Sequence, residues 1–192
     1  MNKFTNVLGS FIKLSTVKIL NQKIEDVYLI ESEPFIDERG AFRRHFCAEE
    51  FVNRGISSSV QQANISENKY AKTLRGFHYQ ISPFSEGKTL SCLRGSIYDV
   101  IVDLRVESKT YMQWVSFELT ESNRLSIHIP PGCANAFLTL ENNCLIHYYC
   151  SNAYHPESER GIRYNDPVFN FKWPFSPEII SDKDKSHPDY KV

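Results

Sequence analysis

Leu74-Arg-Gly-Phe-His-Tyr-Gln80 is the stretch on which the reading of this chain turns, because seven residues combine strand-forming aromatics with a cation, a glycine and a histidine. Side chains alternate sides along an extended strand. Leu74, Gly76, His78 and Gln80 are therefore expected on one face, and Arg75, Phe77 and Tyr79 on the other. If the first face looks into a barrel, His78 stands in a pocket. Gly76, with no side chain, lets a substrate or a second strand come close to the backbone. A single histidine in an apolar strand is more often a hydrogen-bonded core residue, so the surrounding sequence has to decide.

Outward from this stretch, strand signals dominate. Val60 to Ser66 places Gln62, Asn64 and Ser66 on one face, a polar row that is costly to bury unless something hydrogen-bonds it. A ligand would serve, and so would water along an edge strand. From Ile97 to Leu104, Tyr98, Val100, Val102 and Leu104 form an apolar packing face, with Asp99 and Asp103 flanking Ile101 on the other. Leu125, Ile127 and Ile129 repeat that pattern, which predicts a solvated side for Arg124, Ser126 and His128 before Pro130-Pro131-Gly132 ends the strand. Cys144 to Cys150 turns Tyr148 inward with Cys144 and Ile146, and a buried phenol needs a partner for its hydroxyl. Glu25 to Ser32 reads as another strand, Asp37 to Gly40 as a charged turn, and Glu49 to Arg54 as one helical turn closed by Gly55. After Tyr154-His-Pro156 the chain is irregular and aromatic as far as a charged end at Ser181-Asp-Lys-Asp184. Many short strands, close turn signals and almost no helix predict an all-β fold, either a β-barrel or a two-sheet jelly roll with short peripheral helices.

Bulk properties bound the function. The 192 residues suit one domain over 1–192, in which the weakly patterned residues 1–23 are expected to be an arm that packs on a partner chain. A net charge of -1 offers no cationic footprint for nucleic acid. No apolar run is long enough to span a bilayer and no signal peptide is legible, so the expected location is cytoplasmic, with no membrane partner. The five cysteines lack Cys-x-x-Cys spacing and read as reduced, mostly buried thiols.

The candidate chemistry follows from what the chain lacks. No His-x-His, no His-x-x-x-His and no cluster of two histidines with a carboxylate within a strand pair is present, so no metal site is expected from spacing. The flanking signatures of a covalent serine or cysteine nucleophile are missing too. General acid and base work by His78 and Tyr148 remains, assisted by fixed positive charge at Lys88 and Arg75.

From about Val27 onward the chain resembles the dTDP-4-dehydrorhamnose 3,5-epimerase family. The matching pieces keep one order: Phe35-x-Asp-x-Arg-Gly-x-Phe42, Gln62-x-Asn-x-Ser66, Leu74-Arg-Gly-x-His-Tyr-Gln80, Asp99-Val-x-Val-Asp-Leu-Arg105, Ile129-Pro-x-Gly132, Tyr154-x-Pro-x-x-Glu159, Asn165-Asp-Pro167 with Trp173-Pro174, and Ser181-x-Lys-Asp184. The resemblance implies a cupin-like jelly-roll homodimer without cofactor or metal. Such an enzyme inverts the carbons flanking the keto group of a nucleotide-linked 4-keto-6-deoxy sugar.

By the same resemblance His78 matches the general base and Asp184 the carboxylate paired with it. Lys88 matches the lysine near the keto oxygen, and Tyr148 the phenol that returns a proton to the opposite face. Arg39, Gln62, Asn64, Arg75, Glu159 and Lys183 fall on substrate-binding positions, and Tyr154 on the ring that stacks against the base. Two positions depart from the usual pattern. Asn135 stands in Ala134-Asn-Ala-Phe137 where members usually carry a substrate-contacting histidine, and Arg44 stands where many carry glutamate. Both are expected at the substrate. Asn135 leaves open a mono-epimerase or an enzyme for another nucleotide sugar. A binding module without turnover and a metal-dependent cupin oxygenase are the alternatives from other classes.

The reaction asks for these groups independently of any family. Removing a proton beside a ketone leaves an enolate, so a base, a cation at the oxygen and an acid on the far side are all needed. General acid and base assistance is worth roughly 10² to 10⁴-fold, which is too little for a weak carbon acid unless charge on the enolate oxygen is stabilised as well. Strict alternation turns Arg75 away from His78, and a bulge at Gly76 or a neighbouring chain has to reconcile them.

Overall fold

The computed structural model describes residues 17–191, and these form two facing antiparallel sheets. The first has the order β1 (Val17–Asn21), β2 (Tyr28–Ser32), β10 (Leu125–Ile129), β7 (Lys88–Arg94), β12 (Cys144–Cys150) and β5 (Gln62–Asn68). The second runs β13 (Glu159–Gly161), β6 (Thr73–Gln80), β11 (Cys133–Thr139), β8 (Ser96–Asp103) and β9 (Trp114–Thr120), and β14 (Ile179–Ile180) pairs in parallel with β6. A separate hairpin joins β3 (Phe35–Asp37) to β4 (Gly40–Phe42). Only two short helices accompany them among the described residues, α1 (Ala48–Val52) and α2 (Asp182–Lys185). This is the all-β jelly roll that the strand pattern predicts. Most of the expected arm, residues 1–16, lies outside the described residues, while its Val17–Asn21 portion is an edge strand paired with β2.

Three apolar clusters hold the sheets. Between them lie Leu90, Ile97, Ile101, Leu119, Ile127, Phe137 and Ile146, contributed by both inner faces. Each fully buried leucine or isoleucine there contributes on the order of 2 kcal/mol. Behind the second sheet, Phe77, Val100, Val102 and Ala136 are covered by Phe169 and Phe171 of the irregular C-terminal stretch. Behind the first sheet, Ile19, Ile30 and Tyr149 pack under Phe51 of α1.

The third cluster corrects one expectation. His128 and Ser126 are buried rather than solvated, because α1 and the β1–β2 edge cover what would otherwise be an outer face. His128 lies edge-on to Phe51 and shares a hydrogen bond with Thr89 Oγ1 at 2.9 Å. β8 is likewise buried on both faces, so Asp99 and Asp103 have no exposure at all. Ion pairing with Arg105 and the hydroxyls of Ser108 and Thr110 satisfy Asp103; Asp99 faces the space between the sheets. All five cysteines are free and four are buried, and among the described residues no helix is long and apolar enough to cross a membrane.

Candidate active site

The register of β6 against β11 decides what faces the interior. Phe137 lies opposite Arg75, Ala136 opposite Gly76 and Asn135 opposite His78, so two residues of β6, Gly76 and Phe77, span a single step of β11. That bulge reverses the alternation midway along the strand. Arg75 and His78 therefore share the inner face, while Phe77 and Tyr79 pack on the outer cluster. The strict alternation expected from the sequence fails here, and the bulge at Gly76 brings Arg75 and His78 to one face. Gly76 has φ +110°, and a Cβ on it would lie 2.5 Å from the Asn135 carbonyl oxygen. The close neighbour that requires glycine is thus the adjacent strand.

Arg75 and His78 open into a cavity of about 520 Å³, which Lys88, Leu90, Asn135, Phe137, Tyr148, Lys183 and Asp184 also line. A second lobe of about 300 Å³ is lined by Gln62, Asn64, Gln80, Glu86, Tyr154 and Glu159, and it shares His78, Lys88 and Tyr148 with the first. The imidazole comes from the second sheet, the phenol and the ammonium from the first, so they meet the common space from opposite walls.

α2 places the carboxylate. Its N-cap is Ser181, whose hydroxyl accepts from the Asp184 backbone N–H at 3.1 Å. That cap orients Asp184 so that Oδ1 meets His78 Nε2 at 2.8 Å and Oδ2 accepts from Gly76 N–H at 3.0 Å. Burial on its own would raise the Asp184 pKa, but the bonds from His78 and Gly76 outweigh it and hold the carboxyl below its ordinary value. The carboxylate fixes the ring orientation and leaves Nδ1 to exchange a proton.

Lys88 is held in three directions. Its ammonium donates to Asn135 Oδ1 at 3.4 Å, lies 3.7 Å from Glu86 and stands 5.7 Å from the centre of the Tyr148 ring. Behind Asn135, the amide nitrogen donates to Asp99 Oδ1 at 2.9 Å. Burial pushes the Asp99 pKa up to about 7, opposed by the Asn135 bond and the charge on Lys88. Burial also raises the pKa of Tyr148, which keeps the phenol protonated and able to donate. Cys150 in the second lobe is pushed by burial to about 12 and stays a thiol, which removes it as a nucleophile.

The substrate-binding candidates divide. Gln62 and Asn64 present the expected polar row to the second lobe, so the ligand reading of that row fits better than the solvated edge. Tyr154 donates to Glu159 at 2.6 Å, and Lys183 pairs with the same carboxylate. Arg75 is steadied by Asn68 Oδ1 at 2.8 Å. Arg39 and Arg44 do not line either lobe: Arg39 pairs with Asp37 in the exposed β3–β4 hairpin, and Arg44 lies 3.4 Å from Glu50. Glu86, Asp99 and Asn68 also support the site, although none of them is a site candidate from the sequence. Asp99 alternates with the apolar face of β8, which by itself would turn it outward, and Glu86 and Asn68 carry no local signal either; Asp99 faces inward because both faces of β8 are covered. A further group that chain spacing could not show is His78, Asp184 and His187, whose potential ligand atoms lie within 4.8 Å of one another.

Comparison with known proteins assigns the chain to one family. The family model described as dTDP-4-dehydrorhamnose 3,5-epimerase matches residues 21–191. A protein of that name from Sinorhizobium fredii is 37% identical over 166 residues, spanning 86% of this chain and 85% of the relative. The crystal structure of the Bacillus anthracis enzyme of the same name, with TDP and PPi bound, is 32% identical with a TM-score of 0.88, covering 91% of this chain and all (100%) of that one. A Legionella pneumophila dTDP-6-deoxy-D-glucose-3,5-epimerase in complex with dTDP-4-keto-L-rhamnose is 35% identical with a TM-score of 0.84, covering 92% and 100% respectively.

Proposed function

The chain belongs to the dTDP-4-dehydrorhamnose 3,5-epimerase family, and on that footing we propose that it inverts C3 and C5 of a dTDP-linked 4-keto-6-deoxyhexose by removing and returning protons. The observation that carries the reading is the convergence of an Asp184-paired His78, Lys88 and Tyr148 on one space from opposite sheets.

His78 Nδ1 takes the proton from the carbon beside the ketone, and the imidazolium so formed is stabilised by Asp184. The electron pair moves to the keto oxygen, where the Lys88 ammonium meets the developing charge, with Arg75 as the second cation of the cavity. Tyr148 then gives its proton to the carbon from the other face, which inverts the centre and leaves a phenolate to be reprotonated. Gln62, Asn64, Tyr154, Glu159 and Lys183 are assigned to the nucleotide and sugar, in keeping with their place around the second lobe and its rim.

A homodimer is part of this reading. Arg39 falls on a substrate-binding position of the family, but within one chain it lies on a hairpin with Ile36 65% and Phe42 59% exposed. A second copy covering that hairpin accounts for the apolar exposure and for the position of Arg39. The free thiols fit a reducing, cytoplasmic compartment.

Incubation of the keto sugar nucleotide in heavy water should place deuterium at both carbons next to the ketone, and no label at either sinks the proposal. One observation favours a second reading, inversion of a single centre: Asn135 spends its amide nitrogen on Asp99 and its carbonyl on Lys88. It therefore positions the lysine and brings no proton of its own to the substrate. Label confined to one carbon selects that reading.

A further inference from the structure

His187 belongs to none of the machinery described so far, yet it lies against it. It follows α2 directly, three residues after Asp184, and its ring stands edge-on to His78 with centroids 6.4 Å apart. Its Nε2 is buried and has no hydrogen-bond partner among the described residues, an expensive state for an imidazole nitrogen. The ring packs over the backbone of Gly161, the residue of β13 paired with His78, and a Cβ at Gly161 would collide with it. One ring nitrogen each from His78 and His187 and one Asp184 oxygen fall within 4.8 Å of one another. Ligands about 2.0–2.2 Å from a common tetrahedral ion stand roughly 3.3–3.6 Å apart, so small side-chain rotations suffice to close the three groups on one ion.

We propose that these three side chains form an inhibitory site for a borderline divalent transition-metal ion, with zinc as the type case. Two imidazoles and one carboxylate are a donor set that suits zinc and excludes hard cations such as magnesium, which prefer all-oxygen shells. Asp184 Oδ2 would keep its bond from Gly76 N–H and orient the carboxylate from behind, as outer-shell partners do in metal sites.

The consequence for the base follows from the tautomers of imidazole. If the metal takes His78 Nε2, the ring proton moves to Nδ1 and the lone pair that would accept the substrate's proton is gone. If the metal takes Nδ1, that lone pair is consumed directly. Either way a neutral, metal-bound imidazole has no free basic nitrogen, and the enzyme is switched off without any change of fold. The inhibitory part of the inference rests on His78 being the base; the binding part does not.

The two parts are tested separately. Cobalt(II) titrated into the purified protein should give a ligand-field band in the visible that saturates at one equivalent. His187→Ala and His187→Gln should each weaken that binding by roughly tenfold or more, since loss of even an outer-shell partner costs a site 10- to 100-fold. In solvent-exchange assays zinc should abolish deuterium incorporation by the wild type, a chelator should restore it, and both variants should need correspondingly more zinc while keeping chelated activity near wild type. Equal cobalt affinity in wild type and variants overturns the site, and saturated metal with undiminished exchange overturns the inhibition. Absence of exchange in the chelated wild type would instead count against the epimerase reading and leave the cobalt result to decide the site.

Discussion

Tyr148 is the residue whose role separates most sharply from that of its neighbours. Deprotonation by His78 does not need the phenol, but return of a proton from the opposite wall does. Tyr148→Phe is therefore expected to keep incorporating solvent deuterium with retention while the yield of inverted sugar falls by roughly 10² to 10⁴-fold, the usual worth of a positioned acid. Product stereochemistry and label read by NMR check this, and full inversion by the variant would remove Tyr148 from the mechanism. The hydroxyl is lost with little change of shape, and the ring still lies 5.7 Å from Lys88, so a folding defect is not expected to obscure the result.

At the scale of elements, the bulge in β6 sets the whole site. Gly76→Ala would force a side chain into φ +110° and against the Asn135 carbonyl. The backbone conformation alone costs on the order of 1–3 kcal/mol. To relieve the contact, β6 must move from β11, which separates His78 from Asp184 and Arg75 from the cavity. The variant should melt earlier and lose at least about tenfold in kcat, and an unchanged melting temperature with wild-type activity would show that the register does not depend on this glycine. The bulge at Gly76 could be posed from sequence only as one of two options, because nothing in Leu74 to Gln80 tells whether alternation breaks there. Gly76 and its partner in β11 are 60 residues apart in the chain, so the break is a property of the pair. α2 is the second case. Ser181-x-Lys-Asp184 was recognisable as a motif, but its capped turn reaches His78 across 106 residues only once β14 has docked beside β6.

For the molecule as a whole, buried histidines set the acid limit of stability. Burial depresses His128 from its ordinary 6.5 to about 4, and burial with the neighbouring His147 and Arg43 does the same to His45. Between those values the unfolded chain takes up protons that the folded chain does not. The stability these imidazoles contribute is thus fully present above about pH 6.5 and is lost as the pH falls toward 4. For His128, 7% exposed, a shift of this size corresponds to about 3 kcal/mol. Urea melts at pH 7.5 and 4.5 should show the loss, and His128→Gln should flatten part of the slope; a midpoint that does not move with pH would contradict it.

The oligomer is decided at the same scale. Light scattering should give twice the chain mass, Ile36→Glu with Phe42→Glu should shift it to the monomer, and a wild-type monomer at micromolar concentration would remove the dimer from the proposal.

Period-two alternation, turn residues and the scarcity of helix signals were sufficient for the all-β class, since each depends only on neighbours in the chain. The ordered motifs contain His78 and Asp184, and the resemblance they carry singled out Lys88 and Tyr148 as candidates beside them. Burial behind the first sheet, the inward turn of Asp99, the facing of Arg75 and the gathering of His78, Asp184 and His187 were decided only by tertiary structure. Each depends on which distant segment covers or meets a strand, and local alternation carries no information about that.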